Sequence, residues 1–159
     1  MQIKAKANLE SIQAAPANMK RGLLFASAVT PAGIIAWVIL WQMGFIASLV
    51  AFGVAYGATW LYKKGSGEQK ISKAAYPLLA LIIATIVLAF LAGMISDGWS
   101  VYSSDGHGDF WSADFWSFIA ANFSSGDLWS QYIGDIFMSL VFGAIGAGGV
   151  IMELTKKAK

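Results

Sequence analysis

From Gly22 to Tyr62 the chain carries no charged residue. A single helix of that length, at ~1.5 Å per residue, would be about twice the ~30 Å thickness of a bilayer's hydrocarbon layer, so the run must fold back. The best break is Gln42-Met43-Gly44, a polar side chain followed by a glycine that eases a tight turn. This predicts helices over residues 22–42 and 45–62. Thr30-Pro31 falls inside the first, where proline is expected to kink the helix and leave the Ser27 carbonyl in need of another partner. A polar stretch over 63–73 follows. A third apolar run covers 74–96, with Pro77 in its first turn, where a missing N–H costs least. A fourth covers 133–154 and ends among Lys156, Lys157 and Lys159, cations that suit a helix C-terminus. The expected fold class is all-α: a single polytopic membrane domain, residues 1–159, built as a four-transmembrane-helix bundle. Its connections are an N-terminal tail (1–20), a loop (63–73), a longer segment (97–132) and a short tail (155–159).

Composition agrees. Hydrophobic residues make up 57% and charged residues 13%, half the usual quarter, which is more apolar surface than a soluble fold of this size can hide. There is no cysteine, which excludes disulfides and thiolate chemistry. The polar first 20 residues and the long run after Lys20-Arg21 argue against a cleaved signal peptide, although Ala26-Ser27-Ala28 looks like a cleavage triplet. Residues 3–12 read as a weakly amphipathic segment, with Lys4, Lys6, Lys20 and Arg21 suited to anionic headgroups.

Charge gives the orientation. With four spans, all 11 Lys and Arg fall on one side with the three glutamates, and the six aspartates (97, 105, 109, 114, 127 and 135) fall on the other. Basic residues mark the cytoplasmic face, so both termini are expected in the cytoplasm and the 97–132 segment outside the cell membrane. Three spans would strand a basic cluster on the wrong side. Nothing in the small net charge of +2 suggests nucleic acid.

Small residues recur every fourth position: Ala28, Ala32 and Ala36; Ala47, Ala51 and Ala55; Ala80 with Ala84; Ala89 with Gly93; Ser139, Gly143 and Ala147. Such spacing lets helix backbones approach, and Gly53, Gly57, Gly143 and Ala147 are the expected packing positions. Packing within one chain is preferred over self-association.

The 97–132 segment holds ten aromatic residues and no Lys or Arg. Over 113–123 the spacing is helical: Phe115, Trp116, Phe118, Ile119, Ala120, Asn122 and Phe123 share one face, with Asn122 the polar misfit. Ser112 is placed to cap this helix, Asp114 suits its first turn, and Trp111 and Trp116 are spaced for a hydrophobic staple. A short amphipathic helix in the outer interface is expected, with Trp111, Phe115, Trp116, Phe118, Ile119 and Phe123 contacting lipid or a partner, or else closing over their own bundle. Asp-x-Trp-Ser occurs at 97–100, 109–112, 114–117 and 127–130. The irregular spacing is no repeat; tryptophan anchors at interfaces, and Asp and Ser start helices and turns.

Catalytic readings are thin. Asp105, His107 and Asp109 put two carboxylates beside the only histidine, a candidate metal set, but the spacing fits no established metal loop and an exposed turn is the default. Hydrolase triads and glycosidase pairs have nothing to fix their geometry. The lysines and glycines of 63–68 lack phosphate-loop spacing. The chain is similar in size to small multidrug exporters, but no span carries their mid-membrane glutamate. Thr30, Thr59 and Thr85 are expected to bond preceding helical carbonyls. No cofactor is expected. The function expected is a non-enzymatic accessory or scaffold subunit that meets lipid or another membrane protein; the alternative is a homo-oligomeric channel or transporter.

Overall fold

A computed structural model describes residues 18–44, 46–67, 71, 74–106 and 108–157, apart from the side chains of 153–155 and 157. The segment at 3–12, His107 and Lys159 lie outside the described residues. All regular structure among the described residues is helical: α1 (Met19–Ser27), α2 (Val29–Gln42), α3 (Leu49–Ser66), α4 (Ala75–Ser104), α5 (Ala113–Phe123), α6 (Gly126–Gly146) and α7 (Gly148–Lys157).

Local chemistry sets the ends. The Asn18 side chain caps α1 by accepting the Arg21 N–H, and the Asn18 N–H bonds the Ser66 carbonyl at 3.0 Å, tying α1 to the end of α3. The expected kink at Pro31 is instead a break at Ala28, which puts Pro31 in the first turn of α2, where no intrahelical donor is lost. Gly44, at φ 72°, makes the turn after α2, but α3 starts at Leu49 rather than 45 and runs on to Ser66. It stops at Gly67, whose φ of 68° is the left-handed conformation common after helix ends. Pro77 lies in the first turn of α4, as expected. The fourth apolar run divides at Ala147, and its helix begins seven residues early, at Gly126. The 97–132 segment is accordingly far less of a loop than expected: α4 extends into it to Ser104, α5 fills its middle, and α6 takes up its end.

Contacts give the direction of each helix. A Cβ at Gly22 would meet Tyr62 and Ser66, and one at Gly33 would meet Val54, so α1 and α2 run antiparallel to α3. Thr30 pairs with Thr85 and Trp41 with Asp97, so α2 and α4 are parallel. Ile86 faces Gly143 while Asp97 bonds Tyr132, so α6 is antiparallel to α4. Helix α3 sits among the others and buries Ala51, Val54, Ala55, Ala58 and Tyr62. One core cluster, around Tyr62, Leu78, Ile82 and Val150, lies near the end that carries Lys20, Arg21, Lys63 and Lys64, the basic end. The other, around Trp37, Phe90 and Met94, lies toward the end that carries Asp97 and Asp135, the acidic end.

Among the described residues, three helical stretches are long and apolar enough to cross a membrane: Met19–Gln42, Ala75–Ser104 and Gly126–Gly146. Helix α3 is not among them, and its last turn holds Lys63, Lys64, Gly65 and Ser66. Only 17% of the most apolar window of the first stretch, and 11% of the third, is buried inside the protein, so much of their apolar surface faces outward, as lipid contact requires.

The small-residue stripes divide between buried and exposed positions. Ala47, Ala51, Ala55, Ala89, Gly93, Ser139, Gly143 and Ala147 are buried, but Ala28, Ala32, Ala80 and Ala84 are exposed. Gly53 points away from every neighbour, while Gly57 meets Val29. The closest approach to another helix's backbone is at Gly146, where a Cβ would come within 2.5 Å of the Phe52 carbonyl oxygen. Alanine spacing marks a face without saying whether lipid or a helix covers it, and here the second stripe of α1–α2, carrying Gly22, Ala26, Gly33 and Trp37, turns inward. Thr59 bonds the Ala55 carbonyl as expected, but Thr30 and Thr85 bond each other across α2 and α4 at 2.8 Å.

Candidate functional site

At the acidic end, α2 and α6 bring three polar side chains onto one carboxylate of α4. The Trp41 indole donates to Asp97 Oδ2 at 2.7 Å, and the Tyr132 hydroxyl donates to the same oxygen at 2.9 Å. The Gln42 amide reaches Asp97 Oδ1 at 3.3 Å and Ser96 Oγ at 2.6 Å. Hydrogen bonds to an ionised acceptor are the stronger kind, so Asp97 ties three helices together. The donors to Asp97, an indole, an amide and a phenol, are all neutral.

Aromatic rings form the floor. Trp41 stacks against Trp37 at 6.3 Å, meets Phe90 edge-on at 5.7 Å and lies 5.6 Å from Tyr132. Gly93 leaves room for this: a Cβ there would press on the Trp41 ring at 3.0 Å and on the Trp37 indole nitrogen at 3.2 Å.

Helix α5 forms the roof. Ser112 Oγ accepts the Phe115 N–H, the expected cap. The α5 face is narrower than its periodicity suggests. Phe115 is fully buried against Trp99, Tyr102 and Phe110, and Ile119 is buried with its tip where a Cβ of Gly98 would fall. Neither is free to contact lipid or a partner, because α4 extends beneath them. Phe118 and Phe123 are half-buried. Trp111 is 82% exposed and Trp116 40% exposed, and Phe110 packs against both rings. Asn122, the misfit, donates to the Phe118 carbonyl one turn back.

Between roof and floor lies a cavity of about 200 Å³, lined by Asp97, Tyr132, Asn122 and Gln131 and by Met94, Gly98, Val101, Phe118, Ile119, Phe123 and Leu128. Two further cavities, about 220 and 170 Å³, follow one another along α4 and α6 and share Ile86, Ser139 and Leu140; their linings are almost wholly apolar.

The Asp-x-Trp-Ser copies divide by role. Asp109 accepts the Trp111 N–H at 2.9 Å, and Asp114 and Asp127 sit in the first turns of α5 and α6, so these three start turns and helices. Asp97 lies inside α4 and does something else, which the motif gave no means of seeing. Of the candidate metal set, Asp105 is exposed and Asp109 is held in its own turn. Among the described residues, no three His, Asp or Glu side chains come together in a way that could hold a metal. No family model, curated protein or solved structure matches this chain.

Proposed function

We propose that the protein is a non-enzymatic component of the cell membrane that crosses the bilayer four times, with both termini in the cytoplasm. In this reading it is an accessory or scaffold subunit whose aromatic roof meets lipid or a second membrane protein. The observation that carries it is the contrast within that roof: Phe115 and Ile119 are locked inward, while Trp111 stands 82% exposed beside Trp116. Tryptophan held out on a packed platform is a typical interfacial anchor and a frequent contact at protein interfaces.

Four crossings are supported by helix direction. Helices α2 and α4 are parallel, so the chain must return between them, and the antiparallel α3 is the long helix that does so. Its 18 residues span ~27 Å, close to the ~30 Å hydrocarbon layer. Orientation is supported by the charges gathered at opposite ends of the bundle, with Lys64 over the Trp60 ring at 4.1 Å at the basic end.

The test is native mass spectrometry in gentle detergent, on wild type and on a Trp111→Ser/Trp116→Ser variant. A defined lipid or hetero-complex lost in the variant supports the reading. A homo-oligomer that conducts an ion or solute in liposomes containing this chain alone replaces it with a channel or transporter. Because the chain lacks cysteine, single cysteines at Lys64 and Ser104 give a clean topology check, with only the second labelled from outside an intact cell.

A further inference from the structure

Asp97 has more accepting capacity than its neighbours use. Each carboxylate oxygen offers about two lone-pair positions. Oδ2 receives both Trp41 and Tyr132, whereas Oδ1 receives only the long 3.3 Å contact from Gln42. Among the described residues the charge has no cationic counterpart at this end: their Lys and Arg lie on α1, α3 and α7, toward the basic end. A carboxylate half-removed from water, bonded only by neutral donors, favours the approach of a cation.

The cavity beside it specifies what kind. Alongside Asp97 it presents the rings of Phe118, Phe123 and Tyr132, and the amides of Asn122 and Gln131. A bare metal ion needs several oxygen ligands in a tight shell. This lining is mainly aromatic and aliphatic, and suits a cation that carries its own apolar surface. Val101 and Gln131 on the lining are exposed, giving a way in. At ~30 Å³ per water, about 200 Å³ is the space of six or seven waters, enough for a compact headgroup-sized molecule but not for a large drug.

We infer that the cavity beneath α5 is a binding site for an organic ammonium group, which Asp97 neutralises and the surrounding rings enclose. The group is supplied either by a free small amine or by the headgroup of an outer-leaflet lipid. The inference rests on the Asp97 geometry and stands apart from whether the protein has a protein partner.

Choline is the test ligand, and 3,3-dimethyl-1-butanol its uncharged isostere, titrated calorimetrically into the full chain in phosphatidylglycerol nanodiscs. Choline is expected to bind, with the isostere and an Asp97→Asn variant each weaker by roughly tenfold, the loss of one charge-assisted contact. Asparagine keeps an acceptor for Trp41 and Tyr132, and a cooperative melting transition above the titration temperature shows that the variant is folded. A second variant, Phe118→Leu, keeps the carboxylate and removes one ring, and is expected to weaken choline by roughly threefold. Repeating the titration in phosphatidylcholine nanodiscs separates the sources. Competition by the lipid points to a headgroup site, and unchanged choline affinity to a free amine. No choline binding in phosphatidylglycerol, equal binding of choline and its isostere, or full binding by folded Asp97→Asn overturns the inference.

Discussion

Trp41 and Asp97 lie 56 residues apart and meet at 2.7 Å, indole N–H to carboxylate, at the acidic end of the bundle. The bond joins the last turn of α2 to α4, and Tyr132 brings α6 to the same oxygen. Three helices are therefore registered against each other by a single side chain, and the Trp41, Phe90 and Tyr132 rings pack on one another beside it.

Removing that side chain should cost more than removing either partner. Asp97→Ala leaves the Trp41 and Tyr132 donors without their acceptor, and a loss of about 2 kcal/mol or more is expected. Asp97→Asn should lose less, because an amide oxygen remains. Reversible unfolding in mixed micelles measures both, and equal losses would show that the carboxylate oxygens are not what binds the helices.

Two glycines make a sharper contrast. At Gly146 an added methyl meets the backbone of Phe52, which no rotamer change relieves, so Gly146→Ala is expected to destabilise by about 1–3 kcal/mol. Gly53 has open space around it, and Gly53→Ala should stay within about 0.5 kcal/mol or gain slightly from helix propensity. A melting series on the two variants checks the packing of α6 on α3.

Within the aromatic roof, burial and contact separate by position. Phe115→Ala should cost about 3 kcal/mol or more, since the ring is fully enclosed. Trp111→Ala should leave stability within about 0.5 kcal/mol and reduce only association with the bilayer or a partner. Melting temperature and nanodisc binding, measured on both, distinguish these roles; a large stability loss in Trp111→Ala would place that ring in the core.

The Thr30 and Thr85 hydroxyls form an interhelical pair inside the apolar layer. Thr85→Val should cost about 0.6 kcal/mol, modest because Thr30 has helical carbonyls to turn to. The double valine variant should be no worse than the single one. A double-mutant cycle reads the coupling directly.

The sequence by itself determined the apolar runs, the helix at 113–123 with its Ser112 cap, and the separation of Lys and Arg from Asp along the chain. These are local or additive properties: hydropathy accumulates over a window, a cap reaches three residues, and a charge keeps its sign wherever it lies. Tertiary structure decided which face of each helix turned inward. That choice placed Gly146 against the backbone of α3 and Gly53 against nothing, gave Thr30 to Thr85, and made Asp97 an acceptor for two neighbouring helices while its three motif copies stayed at turns. Those outcomes depend on residues tens of positions apart coming to within hydrogen-bond reach. Periodicity along one helix cannot express this, because the same small-residue stripe satisfies lipid and a neighbouring helix equally well.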